Sequence, residues 1–224
     1  MSTLLLILLL SYLLGAIPFS LVAGRVMGVD LRQHGSGNAG ATNALRVLGK
    51  GPGLVVFLLD FLKGLAAVVL VSKIRLGGDD ALVGLLGSTP ALAAAWAATL
   101  AGTAAMLGHV FTLWGKVFFG SWKGGKGVAT GAGMLAGLAP LPVGLAFLVF
   151  VGVFATTRYV SLGSILAALT LPLALLALHF GLGQAYPPPV WIFAFVVPAF
   201  IVWTHRANVR RLLDGTESKI GAKA

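Results

Sequence analysis

The chain contains no cysteine, so neither a disulfide nor a thiolate-held metal can form. Acidic residues are also scarce: six Asp and Glu among 224 residues, with four scattered His, leave little material for a metal centre, and none is expected. Charged residues of both signs make up only 10% of the chain, which excludes an ordinary soluble domain. No long linker, clear repeat or soluble module interrupts the sequence, and residues 1–224 read as a single polytopic domain. The amino terminus lacks the basic residues that open a signal peptide, so the first apolar run is expected to be a retained helix.

What is present is apolar. Hydrophobic residues reach 58% and the mean hydropathy is +0.98, values of an all-α integral membrane protein. Runs long enough to cross a bilayer cover 3–23, 53–71, 81–107 and 161–180, with a shorter one at 190–203. The stretch 128–157 admits either one tilted helix or two short ones turning at Pro140 and Pro142. Charge decides between them, because Lys and Arg collect on the cytoplasmic side. With two crossings, Arg25, Arg32, Arg46, Lys50, Lys116, Lys123, Lys126, Arg158 and the five basic residues from Arg206 onward share one face. Only Lys73 and Arg75 fall on the other, offset by Asp79 and Asp80. The expectation is seven transmembrane helices, some short, with the amino terminus outside and the carboxyl terminus cytoplasmic. The net charge of +10 therefore reflects anionic lipid or an anionic substrate, not nucleic acid.

The densest polar segment follows the first span: Gly35, Ser36, Gly37, Asn38, Gly40, Thr42, Asn43 and Arg46. Glycines let backbone N–H groups converge on an anion, and a guanidinium adds a two-pronged contact, so the segment has the composition of a phosphate site. A second glycine loop, Lys123, Gly124, Gly125, Lys126 and Gly127, opens into the next span, where the helix dipole favours anions. Gly108 and His109 stand upstream of it, 156–164 contributes Arg158 and Ser161, and the tail contributes His205 and Asn208. Under the seven-span topology all four segments emerge on one side and surround one interfacial site. Two letter matches fail on context. The first loop fits a dinucleotide fingerprint without a preceding strand, and 120–126 fits a P-loop with Gly127 where Ser or Thr should hold Mg²⁺.

Four segments carry a family resemblance: GSGNAGATNALR, GH followed by KGGKGVAT, TRYVSLGS, and HRANVRRLLDGTESK. Together they resemble the PlsY-type acyl-phosphate:glycerol-3-phosphate acyltransferases of bacterial membranes. The resemblance implies transfer of an acyl group from acyl phosphate to the 1-hydroxyl of glycerol 3-phosphate, giving lysophosphatidic acid and inorganic phosphate. It implies no cofactor and no obligate protein partner, and a site on the cytoplasmic face of the cell membrane. Ser36, Asn38, Thr42 and the loop amides are assigned to the acyl-phosphate group or the developing oxyanion, with Arg46 bridging phosphates. By resemblance Lys126, Ser161, His205 and Asn208 hold glycerol 3-phosphate, and Arg158 orders the inner end of the sixth span. Ser36, Asn38, Arg46, Lys126 and His205 are the expected catalytic set. Gly35, Gly37, Gly40, Asn43, His109, Gly124, Gly125 and Gly127 complete the expected contacts. The chain departs from the family pattern after His109, with Thr112 in place of a usual proline and an extended run at 113–122.

Two charges lie inside the second span, where each costs about 2.5 to 3.5 kcal/mol at the bilayer centre. Asp60 and Lys63, three residues apart on one helical face, are expected to pair and lock the bundle. Gly127, Gly131, Gly133 and Gly137 are expected to form a face for close helix packing. The rival class is a small transporter of an anionic metabolite, which would place its charged residues near the midplane in several spans.

Overall fold

The structure, a computed structural model, describes residues 2–76, 80–87 and 89–221; Asp79 of the charge argument lies outside them. Among the described residues there is no strand, only an isolated antiparallel bridge between Phe111 and Lys123. The chain divides into two compact units, Met1–Leu138 and Ala139–Ala224.

In the first unit the initial apolar run forms α1 (Ser2–Gly15) and α2 (Phe19–Val26). The break falls at Pro18, which has no N–H to continue the ladder. The first loop leads into α3 (Ala41–Val47) and α4 (Lys50–Val69), after which a short 3₁₀ turn covers Val71–Lys73. The expected span 81–107 is divided: α5 (Asp80–Leu86) is separate from α6 (Pro90–Val110). Thr89 caps α6 by accepting the Leu92 N–H at 3.2 Å, and Pro90 occupies the first turn, where its missing N–H costs nothing. Then come α7 (Leu113–Phe119) and α8 (Val128–Leu138).

Close backbone approach holds these helices together. A Cβ on Gly133 would collide with the Phe61 carbonyl, and one on Gly64 with the Thr130 carbonyl, so α4 and α8 meet through glycine from both sides. Gly137 continues that face against Val68, whereas Gly127 lies before the helix and serves instead as a left-handed turn residue with φ +85°. Gly15 and Gly108 bring α1 and α6 together in the same way.

The second unit contains α9 (Pro140–Thr157), α10 (Val160–Leu182), α11 (Pro188–Thr204) and α12 (Arg206–Leu213). The ambiguous stretch 128–157 is thus two helices, separated at Ala139 where Pro140 begins α9. α11 and α12 are bent by 60° at His205. Among the described residues, five helical segments are long and apolar enough to span a membrane, and a sixth is added if the bent pair counts as one span. With 11 residues, α8 is roughly 16 Å long, about half the hydrocarbon thickness. Large apolar side chains such as Leu5, Leu54, Leu148, Leu173 and Phe180 point outward while Ser11, Asp60, Thr99 and Thr130 are buried, the distribution of a protein solvated by lipid.

Candidate active site

The first loop is organised by one side chain. Asn43 is 1% exposed; its Oδ1 accepts the Ser36 N–H at 2.9 Å, and its Nδ2 donates to the Leu31 and His34 carbonyls at 2.8 and 3.0 Å. Those bonds assign Asn43 to the loop's own architecture, below the surface that presents Ser36 and half-buried Asn38. Gly35 and Gly37 sit at φ +61° and +65°, and a Cβ on Gly35 would strike Asn43 Oδ1. Both the backbone conformation and the close approach therefore require glycine at position 35. Thr42 and Arg46, four apart on α3, share one face, and Ala44 anchors the helix to Leu31 and Val56. The loop entrance is clamped by Arg32, whose Nε and Nη2 donate to Asp30 and whose Nη1 donates to the Phe119 carbonyl. The hydrogen bonds from Arg32 hold the half-buried Asp30 carboxyl down at about 2.

The second loop is strapped along the end of α6. Gly124 N–H donates to the Val110 carbonyl at 2.9 Å and Gly125 N–H to the His109 carbonyl at 3.2 Å. This corrects the expectation that these two amides face an anion, since their hydrogens are committed to α6 carbonyls that the helix end leaves unpaired. The loop's contribution is to seat Lys126, half-buried between Gly125 and the left-handed Gly127. The extended run 113–122 does not displace it. Thr112 N–H bonds the Trp122 carbonyl at 2.9 Å, closing the base of the excursion, and α7 forms within it, capped by Thr112 Oγ1. The two glycine loops touch: a Cβ on Gly40 would lie 3.6 Å from Gly125 Cα, and one on Gly125 would lie 3.2 Å from the Ala39 carbonyl oxygen.

His109 is 7% exposed and lies beneath the second loop, where its Nε2 leaves no room for a Cβ on Gly125. Its Nδ1 is 3.4 Å from Asp60 Oδ1, and the expected Asp60–Lys63 pair forms at 2.8 Å. Lys63 Nζ also donates to the Ile17 carbonyl at 2.9 Å.

In the second unit Ser161, Asn208 and Arg211 converge on a residue that the sequence reading did not single out, Glu217. Ser161 Oγ donates to Glu217 Oε1 at 2.6 Å, Asn208 Nδ2 to the same oxygen at 2.7 Å, and Arg211 Nε to Oε2 at 2.7 Å. The signal available was that Glu217 is the one glutamate in the chain, set within a basic tail. His205 Nδ1 donates to the Ile201 carbonyl at 2.8 Å, which fixes the orientation of the ring. Arg158, exposed at the turn between α9 and α10, is the one non-glycine with positive φ (64°) among the described residues. Its carbonyl accepts the Ile220 N–H at 3.0 Å, tying the tail back across that turn.

Burial pulls the Glu217 carboxyl upward, but hydrogen bonds from Ser161, Asn208 and Arg211, with the Arg211 charge, outweigh it and leave it below the ordinary glutamate value. A depressed carboxyl stabilises the fold fully above its unfolded value of 4.5 and loses that contribution as pH falls through the lower folded value. Thermal unfolding in detergent from pH 7 to pH 3 is accordingly expected to fall more steeply for the natural protein than for Glu217→Gln, which starts lower at pH 7. Parallel curves would contradict this reading of the cluster.

The chain matches the sequence family described as glycerol-3-phosphate acyltransferase over residues 5–215. A relative of that name from Halalkalibacterium halodurans is 45% identical over 216 residues, covering 95% of this chain and 93% of the relative. Another, from Synechococcus sp., is 46% identical over 221 residues, covering 98% and 96%. The crystal structure of PlsY, an integral membrane glycerol 3-phosphate acyltransferase, in its glycerol 3-phosphate form superposes with a TM-score of 0.76 at 40% identity. That superposition covers 97% of this chain and 96% of the other. Its lysophosphatidic acid form gives 0.74 at 39% identity, over 97% and 95% of the two chains.

Proposed function

Because the chain belongs to the glycerol-3-phosphate acyltransferase family, we propose that it transfers an acyl group from acyl phosphate to the 1-hydroxyl of glycerol 3-phosphate. The products are lysophosphatidic acid and inorganic phosphate. The observation that carries this reading is the contact between the Asn43-ordered loop, bearing Ser36, Asn38 and Arg46, and the loop that seats Lys126. An acyl phosphate is already a mixed anhydride, so the enzyme's task is to hold two anions together and stabilise the developing oxyanion. Ser36, Asn38 and Thr42 take the acyl-phosphate group, and Arg46 bridges the phosphates. Lys126, Ser161, His205 and Asn208 hold glycerol 3-phosphate, with Glu217 fixing the rotamers of Ser161 and Asn208.

In the transfer, the hydroxyl oxygen bonds to the acyl carbonyl carbon and the bond from that carbon to the phosphate oxygen breaks. The hydroxyl proton passes to a phosphate oxygen of the substrates, so no protein base is required. His109 and His205 are the protein groups whose chemistry would also suit that role, and His109→Ala with most of its turnover retained is the result expected of the substrate-assisted route. The enzyme acts in the bacterial cell membrane, crossing it seven times with the reaction at the cytoplasmic face. Asp60 and Lys63 neutralise each other within one helix, which argues against a transport pathway lined by buried charge.

Purified protein given labelled glycerol 3-phosphate is expected to form lysophosphatidic acid with palmitoyl phosphate and none with palmitoyl-CoA, unchanged by a chelator. Equal product from palmitoyl-CoA would overturn the donor assignment.

A further inference from the structure

We infer that Asp60, Lys63 and His109 form a positioning triad that sets the spacing of the two glycine loops. The inference rests on the assignment of Lys126 to glycerol 3-phosphate, and it adds a role for three residues that touch neither substrate. All three are buried, with relative exposures of 2%, 3% and 7%. One oxygen, Asp60 Oδ1, lies 2.8 Å from Lys63 Nζ and 3.4 Å from His109 Nδ1.

Each partner then reaches the approach to a different loop. Lys63 Nζ donates to the carbonyl of Ile17, at the break before Pro18 that releases the chain toward the first loop. The same ammonium lies 5.5 Å from the ring centre of Phe19, the first residue of α2. On the other side, the imidazole turned by Asp60 directs Nε2 at Gly125, the residue before Lys126. Gly125 in turn packs against Ala39 and Gly40 of the first loop. The circuit from α4 through both loops is therefore closed, with a carboxylate at its centre.

An ion pair serving stability alone would not need this arrangement. Buried pairs are commonly replaced by apolar residues of similar volume without loss of stability, whereas removing one member strands a charge. Nor does either partner of Asp60 act on substrate directly, since Lys63 is committed to Asp60 and Ile17 while His109 lies under the loop. What the triad controls is where Gly125, and with it Lys126, stands relative to Ser36 and Arg46. Small displacements of such groups are costly, because a shift of about 1 Å can lower turnover by a hundredfold.

The test uses the full-length enzyme and whichever acyl donor the natural protein turns over, so failure of the donor assignment is read before any variant. Asp60→Leu/Lys63→Leu is expected to unfold at or above the natural temperature while kcat/KM falls about a hundredfold. His109→Leu is expected to raise KM for glycerol 3-phosphate by about tenfold or more. His109→Gln, whose side-chain amide can donate to Asp60, is expected to restore it to within about threefold. A double variant with kcat/KM within about threefold of natural overturns the inference. So does a His109→Leu enzyme whose kcat falls with KM unchanged, the signature of a smaller folded fraction. Should the double variant fail to fold, the two His109 substitutions decide the matter by the same criteria.

Discussion

Replacing Lys126 by methionine is expected to lower kcat/KM for glycerol 3-phosphate by about a thousandfold while leaving the unfolding temperature within a few degrees. The side chain is half-buried, so its aliphatic stem is replaced in kind and the fold loses little. The ammonium is a different matter. It is supplied at the start of α8 by a loop whose Gly124 and Gly125 amides are committed to α6, and in a water-poor site one charged contact to a phosphate that strengthens in the transition state carries several kilocalories. Lys126→Arg is expected to recover only part of the loss, because a longer planar guanidinium does not occupy the place of a compact ammonium. Steady-state kinetics on purified enzyme measure both, and a methionine variant within tenfold of natural activity would remove Lys126 from the site.

Asn43→Leu is expected to reduce kcat/KM by about a hundredfold and to destabilise the first unit by about 2 to 4 kcal/mol. Leucine matches asparagine in size, so the effect isolates the hydrogen bonds. The Ser36 N–H and the Leu31 and His34 carbonyls each lose their bond to the Asn43 side chain, and Ser36 loses the contact that holds it in place above that side chain. Kinetics combined with thermal unfolding in detergent separate the two components. Natural activity in this variant would mean that the loop is ordered by something other than Asn43.

Hydropathy made the helices legible because apolar runs in lipid leave the backbone no alternative to internal hydrogen bonding. The paired reading of 128–157 followed from the one-sided distribution of Lys and Arg, with the prolines marking where the chain could turn, and the structure breaks the stretch at Ala139. The division of 81–107 was missed, although Thr89 followed by Pro90 is a helix-start signature, because hydropathy alone does not register caps. The Asp60–Lys63 pair was readable from spacing, but its link to His109 is a contact between helices and leaves no trace in local sequence. Composition marked the glycine loops as anion sites without showing that the Gly124 and Gly125 amides turn inward, a matter of which carbonyls the end of α6 leaves unpaired. Glu217 escaped for a related reason. An acidic residue in a basic tail reads as surface, and only the fold reveals three donors waiting for it.

The absence of cysteine allows the central claim to be tested with single introduced thiols. Gln33, in the first loop, and Asp214, after α12, are both exposed. In Gln33→Cys and Asp214→Cys, a membrane-impermeant maleimide is expected to label both positions in inside-out vesicles and neither in intact spheroplasts. Labelling of the two positions from opposite faces would contradict the account, because the polar segments assigned to one reaction would then lie on different sides of the membrane.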